Sequence, residues 1–496
     1  MAEFDLAIIG GGINGTAIAR DAAGRGQRVL LVEQDDLASG TSSASSKLIH
    51  GGLRYLEHGA FRLVREALAE REVLLRMAPH IIRPMRFMLP PAKRRRSPLL
   101  LRLGLFIYDR LAGRKLLPAT KTVDLTHHPF GVPLKRSFRY GFEYSDCWVD
   151  DARLVVLFAR DAADRGADIR TRTKCIRAER GDEWQLVLNS RGRREVATAR
   201  VLINASGAWI GQVADTVLQV PLADSVRLVK GSHIVVRRQF EHGGGYTFQA
   251  ADGRVVFALP FAQDHVLIGT TDEPFVGDVA APAPTRDEIA YLTSVVNEYL
   301  RESVSPTDVV WAFAGIRSLH DDGSKKPEDV TRDYTLTLDE GYGLAPLLTV
   351  FGGKITTARR LAEAALAKIG HFFALMPPWT ADSTLPGGEF APDEYEQHVL
   401  RARNRWGFLS ERHARRLVAA YGTLVHTILG NATSMDDLGP RFAGDLTGAE
   451  IRYFMAREWA QTPADILWRR TKLGLTAGPE DEAAIGEFMK TAAQRG

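Results

Sequence analysis

Apolar and polar positions change rhythm twice along this chain. At the start the apolar runs are short and regular. FDLAIIG at 4–10 reads as a buried strand closed by glycine, residues 13–24 as an alanine-rich helix, and RVLLVE at 28–33 as a second strand. Strand, helix, strand in that order predicts a βαβ unit and a parallel sheet. Residues 61–77 carry a helical pattern, and apolar runs return at 201–205, 232–236, 254–260 and 265–270. Across 225–275 those runs alternate with turns, which predicts antiparallel sheet and a second domain inserted between nucleotide-binding segments. After PGG at 386–388 helix starts follow one another: Thr447 with Glu450 as a capping box, then Thr462 with Pro463 behind it. Residues 388–496 are therefore expected to form a separate helical domain. No internal repeat or low-complexity tract stands out.

A chain of 496 residues fits two or three domains. Its two cysteines, Cys147 and Cys175, form no CxxC pair or zinc-spaced cluster, which argues against a disulfide framework and suits a reducing compartment. The adjacent His127 and His128 read as surface loop. The first residues enter a strand directly, without a basic region ahead of a separate apolar one, so no signal peptide is expected. No run of 18 apolar residues predicts a membrane-spanning helix. Net charge is +4 but uneven: KRRRSPLLLRLGLFIYDRLAGRK at 93–115 carries eight basic residues and one acid.

GGGINGTAIARDAAGRG at 10–26 contains Gly10-x-Gly12-x-x-Gly15 between the first strand and the helix, and Glu33 closes the second strand. That context makes the motif mechanistic. Gly10 permits the tight turn, Gly12 admits a pyrophosphate, Gly15 lets helix pack on strand, and the helix N-terminus faces the phosphates. Glu33 can accept ribose hydroxyls and disfavours a 2′-phosphate, which argues against NADP. NAD and FAD both satisfy these residues. SSASSKLIHGGLRYLEHG at 42–59 tips the balance toward FAD. Ser42, Ser43, Ser45 and Ser46 are short donors for phosphate and ribityl oxygens, Gly51 and Gly52 leave room beside a flat ring, and Arg54 and Tyr55 follow near its reactive face.

Ten stretches carry a more specific resemblance: GGGINGTAIARDAAGRG, TSSASSKLIHGGLRYLEHG, EALAEREVLLRMAPH, GFEYSDCWVDDARLV, KGSHIVV, LIGTTDEPF, AGIRSL, TRDYTL, FGGKITTAR and ILWRRTKLGL. Together they resemble the aerobic FAD-dependent glycerol-3-phosphate dehydrogenases, within the D-amino-acid-oxidase-like flavoproteins, over nearly the whole chain. Ser206, Ala208, Ser318 and Ala358 depart from the residues usual in that family. The resemblance implies an α/β plus α+β architecture. A Rossmann-type FAD-binding domain is expected in three segments (1–80, 146–215, 311–387). A cap or membrane-facing segment (81–145), an antiparallel-sheet substrate cap (216–310) and an all-helical C-terminal domain (388–496) complete it. It also implies non-covalent FAD, oxidation of sn-glycerol 3-phosphate to dihydroxyacetone phosphate, and membrane quinone as electron acceptor.

The same resemblance supplies residue roles. Asn14, Lys47, His50, Gly207, Gly353, Lys354 and Thr356 join Gly10, Gly12, Gly15, Glu33 and the four serines around the cofactor. A dianionic phosphate calls for arginine forks, and Arg317, Arg332 and Arg54 match those positions, with Tyr55 on the pocket wall. His233, whose ordinary pKa lies near the operating pH, is the expected base for the C2 hydroxyl. Arg317 and Lys354 complete the candidate catalytic set, Lys354 steadying reduced flavin or touching substrate. An oxygen-using glycerol-3-phosphate oxidase is the alternative reading. An FAD-dependent RNA-modifying protein is a remote one, because the basic charge is confined to one leucine-rich segment rather than spread over a face. No nucleic-acid partner is expected. Segment 93–115 predicts a helix started by Ser97 and Pro98, lying either in an anionic membrane interface or against the protein's own core. A cytoplasmic enzyme held peripherally on the inner face of the membrane is expected; the oligomeric state stays open, a homodimer included.

Overall fold

The computed structural model describes residues 2–495 apart from 54–55, 57–58, 92–97, 112–115, 223, 239, 263 and 322–332. Two sheets divide the first 390 residues. The first holds the predicted βαβ unit: Phe4–Ile9 pairs in parallel with Val29–Val32 (Leu6 opposite Val29) and with Arg193–Asn204 (Phe4 opposite Ala199). Asp168–Arg170 and Leu347–Phe351 extend it in parallel on either side. Such strands are covered on both faces, which explains their unbroken apolar sequence. On one face the helices Ile13–Gly24, Asp151–Asp164 and Ala358–Ile369 bury Ala17, Ile18, Val155, Phe158, Leu361 and Ala365 against the strands. The expected helix over 61–77 runs from Phe61 to Met77.

The second sheet forms the cap. Its central strand, Val226–Arg237, pairs antiparallel with His265–Gly269 (His233 opposite Gly269) and with Val309–His320 (Gly231 opposite Gly315). Strands Ile82–Leu89 and Tyr140–Val149 belong to the same sheet, joined through the parallel pair Gly245–Phe87. The cap is thus built from 82–149 together with 226–320, and Val309–His320 crosses the expected boundary at 310. Both faces of the central strand are covered. Helix Arg286–Tyr299 packs Leu292 and Val296 on Ile234 and Val236. Helix Pro98–Arg110 packs Leu101, Leu105 and Tyr108 on the side of Val235 and Leu267.

A third core, around Trp406, Leu417, Tyr421, Ile451 and Phe454, belongs to the C-terminal helices Tyr395–Arg405, Glu411–Tyr421, Gly448–Arg457 and Pro479–Arg495. The Thr447–Glu450 capping box is formed: Glu450 N donates to Thr447 Oγ1 at 3.4 Å and Thr447 N to Glu450 Oε2 at 3.1 Å. Thr462 Oγ1 likewise accepts from Asp465 N at 3.3 Å.

Candidate active site

A continuous cavity of about 1190 Å³ runs between the two sheets, from Glu33 and Lys174 at one end to His233 and Arg317 at the other. The glycine turn forms its floor. Gly10 has φ +117°, and a Cβ there would stand 2.5 Å from Ala205 O; a Cβ on Gly15 would stand 2.0 Å from Gly10 O. Gly15 therefore serves helix packing and does not itself line the cavity, whereas Gly10 and Gly12 do. Glu33 closes its strand as expected. Its carboxylate accepts from Gly11 N at 2.7 Å and Asp35 N at 2.8 Å. Burial pushes its pKa up to about 7 against the opposing pull of those two donors.

The serine run divides. Ser42 Oγ accepts from Ile13 N, at the start of the helix, at 3.0 Å. Ser45 Oγ donates to Asp151 Oδ2 at 2.8 Å, and Ser46 Oγ shares a hydrogen with His233 Nε2 at 2.8 Å. These three line the cavity; Ser43 does not, and its hydroxyl turns back to Gly40 O at 3.4 Å. Lys47 also stands behind the wall. Fully buried, with φ +58°, it donates to Asp151 Oδ2 at 2.7 Å and Ser43 O at 3.0 Å, and burial brings its pKa down to about 8. The Gly51 turn is set by Tyr108, whose hydroxyl accepts from Gly51 N and donates to Asp146, each at 2.8 Å.

Facing this run is the loop after Leu347–Phe351. Gly353 (φ +89°), Lys354 and Thr356 line the cavity, as does Gly207 (φ +59°) from the end of the neighbouring strand. Asn14 Nδ2 donates to Gly352 O at 3.0 Å, while its buried Oδ1 has no donor among the described residues. His50 N donates to Thr356 Oγ1 at 3.3 Å, and the ring stands edge-on to Phe257. Burial, with Lys354 and Arg71 nearby, lowers the His50 pKa to about 3.

At the far end Arg317 Nη1 donates to Asp272 Oδ1 at 2.7 Å and Nη2 to Thr270 Oγ1 at 3.4 Å. Its guanidinium covers Gly231, where a Cβ would stand 2.5 Å from Nη2. His233 is 1% exposed; its ring stacks on Phe313 at 5.0 Å, and a Cβ on Gly269 would stand 2.1 Å from Cδ2. The expectation that its pKa lies near the operating pH is corrected. Burial, then Lys47 and Arg317, push it down to about 3, so the imidazole is neutral at any working pH. Arg54, Tyr55 and Arg332 lie outside the described residues. Sequence reasoning missed Asp272, Thr270 and Asp151. Asp272 was visible in LIGTTDEPF, but only strand pairing brings it to Arg317, 45 residues away.

A family model described as FAD dependent oxidoreductase matches residues 5–359, and one described as the C-terminal domain of alpha-glycerophosphate oxidase matches 379–495. Glycerol-3-phosphate dehydrogenase of Pseudomonas aeruginosa is 48% identical over 491 residues, 98% of this chain and 95% of that protein. The chain belongs to the FAD-dependent glycerol-3-phosphate dehydrogenase family. Aerobic glycerol-3-phosphate dehydrogenase of Escherichia coli K12 is 45% identical over 99% of this chain and 98% of its own length. D-erythritol 1-phosphate dehydrogenase of Brucella abortus is 48% identical over 98% of each. Among solved structures, the glycerol-3-phosphate dehydrogenase from Bacillus halodurans complexed with FAD shares the fold, with TM-score 0.74 at 24% identity over 100% of this chain and 95% of that one.

As in the rest of this family, the cofactor is FAD, and the cavity fits it. Any side chain at Gly10 would close the turn, Asn14 Oδ1 is buried without a donor among the described residues, and Glu33 lines the cavity at the end of the second strand, the position from which such folds reach a ribose. The Glu33 pKa has a measurable consequence. A carboxylate that is to accept ribose hydroxyls is depleted in the apo-protein as pH falls through about 7. FAD affinity should therefore drop from about pH 8 to about pH 6, by up to about tenfold per unit below the pKa. Glu33→Gln should flatten the profile. A native profile that is already flat in fluorescence titration would contradict the assignment.

Proposed function

We propose that this enzyme oxidises sn-glycerol 3-phosphate to dihydroxyacetone phosphate and passes the electrons to membrane quinone. The observation that carries the reading is the single cavity joining the glycine turn and Glu33 to Arg317 and His233. Bound FAD supplies the hydride acceptor. Glu33, Asn14, Ser42 and the Gly353–Thr356 loop would hold it. Arg317, oriented by Asp272 and Thr270, offers its fork to the substrate phosphate, with Arg54 and Arg332 as further cations. His233 is held immobile and neutral, the form able to take the C2 hydroxyl proton, and Ser46, bonded to its Nε2, reaches the cavity. Lys354 lines the same cavity as a second cation. The test is steady-state oxidation with a soluble quinone. Glycerol 3-phosphate should far exceed glycerol, which lacks the phosphate, and D-erythritol 1-phosphate, which is one carbon longer. Preference for the longer substrate would move the assignment to that relative's reaction, and hydrogen peroxide as the main product would make the enzyme an oxidase.

Membrane attachment belongs to the same proposal. Among the described residues no helix is long and apolar enough to cross a membrane. Helix Pro98–Arg110 buries Leu101, Leu105 and Tyr108 but leaves Leu103 54% and Phe106 52% exposed. Leu103 and the exposed Phe61 also line the cavity rim with Leu53 and Leu56. An apolar rim beside the flavin site, on a helix that follows a basic segment in the sequence, supports docking on anionic lipid. Each basic residue there contributes about 1 kcal/mol. Replacing Arg94, Arg95 and Arg96, which lie outside the described residues, with glutamate should release the enzyme from anionic vesicles and slow quinone reduction while a soluble dye still supports turnover. Unchanged pelleting of that variant with vesicles would place the contact elsewhere.

A further inference from the structure

The C-terminal domain holds the motif ILWRRTKLGL, which the reaction itself does not use. Four of its residues, Trp468, Arg469, Arg470 and Lys472, contact side chains behind the wall at both ends of the flavin cavity. Arg470 makes a bidentate pair with Asp36 (Nη1–Oδ2 2.5 Å, Nη2–Oδ1 2.9 Å), and Arg469 Nε donates to the same Oδ2 at 2.5 Å. Asp36 is 1% exposed and sits three residues after Glu33 in the loop that lines the adenosine end, with Ala38 N bonded to Gly11 O at 3.1 Å. At the other end Lys472 Nζ lies 3.6 Å from Asp151 Oδ1, whose second oxygen holds Lys47 and Ser45. Trp468 lies 4.7 Å from Trp311, Trp311 4.5 Å from Phe313, and Phe313 5.0 Å from His233. Gly474 makes room for that indole: a Cβ there would stand 2.4 Å from it.

We propose that Trp468–Lys472 is a positioning clamp through which the helical domain sets the flavin site, holding the Glu33 loop by Asp36 and the His233 wall by Trp311 and Asp151. A guanidinium fork on a buried carboxylate fixes direction as well as distance. Without it the loop that presents Glu33 loses its anchor, while the indole ladder fixes the ring on which the imidazole stacks. The inference rests on the reading of Glu33 as ribose acceptor and His233 as base.

The two ends separate experimentally in the full-length holoenzyme. Arg469→Gln and Arg470→Lys should weaken FAD binding, measured by fluorescence titration of the apo-protein, by about tenfold, the size of one lost charge-assisted hydrogen bond. Their loaded enzymes should bleach with substrate at rates close to native. Trp468→Leu should leave FAD affinity within about twofold of native and slow anaerobic flavin reduction by about tenfold to a hundredfold, as misplaced catalytic groups do. Arg469 is partly exposed, so its variant remains informative if Arg470→Lys fails to fold. Native FAD affinity in the arginine variants, or equal loss of both properties in all three, would overturn the clamp. Glu33→Gln run alongside isolates the underlying reading. If it binds FAD natively while the arginine variants do not, the ribose assignment fails and the clamp stands, acting through the loop backbone.

Discussion

Arg317→Ala is expected to raise the KM for glycerol 3-phosphate by about 10- to 150-fold, the equivalent of about 1.5–3 kcal/mol for a charge-assisted hydrogen bond, with FAD retained. Two features place the effect at the upper end. The guanidinium lies in the cavity against Gly231, where a Cβ would stand 2.5 Å from Nη2. Its removal also takes one cation from the Asp272 carboxylate, which the guanidinium approaches to 2.7 Å, so the local charge near the incoming phosphate becomes more negative. Arg317→Ala combined with Asp272→Asn should therefore bind substrate better than Arg317→Ala alone. Glycerol, lacking the phosphate, should discriminate little between native enzyme and variant. A KM for glycerol 3-phosphate unchanged in Arg317→Ala would remove this residue from the phosphate site.

His233→Ala is expected to slow flavin reduction by about 10²-fold, the lower end of the usual range for a general base because a pKa of about 3 leaves the imidazole weakly basic, with a smaller change in KM. The pH dependence follows from the buried imidazole. Its folded pKa of about 3 lies below the ordinary 6.5, so it stays in the accepting form from pH 8 down through pH 5, and native flavin reduction should show no limb near 6.5 from this group. Because neutral imidazole is the active form, activity would be lost only as pH fell through the lowered value. A native limb near pH 6.5 that vanishes in His233→Ala would show that the ring titrates normally in the loaded enzyme. Native flavin-reduction rates in His233→Ala at every pH would remove it as the base.

Local features were the legible ones. The glycine turn, the helix it opens and Glu33 lie within 24 residues of one another, and their spacing alone specifies the βαβ unit. The Thr447–Glu450 cap is a four-residue signal and is formed. What the pattern could not carry was pairing between distant segments. Nothing near Phe87 announces that it lies beside Gly245, so the cap's first half reads as a separate segment. Helix Pro98–Arg110 is apolar nearly all round, so periodicity could not tell its buried stripe, Leu101, Leu105 and Tyr108, from its exposed Leu103 and Phe106. Lys47 sits in a polar run and reads as cofactor-facing; Asp151, 104 residues on, makes its burial tolerable. Likewise the strand pattern placed His233 correctly but carried no trace of the desolvation that lowers its pKa.

Anaerobic titration of the purified holoenzyme with glycerol 3-phosphate should abolish the oxidised flavin absorption, with one substrate consumed and one dihydroxyacetone phosphate formed per FAD, and the colour should return when a soluble quinone is added. Flavin that dithionite reduces but glycerol 3-phosphate leaves oxidised would contradict the proposed reaction.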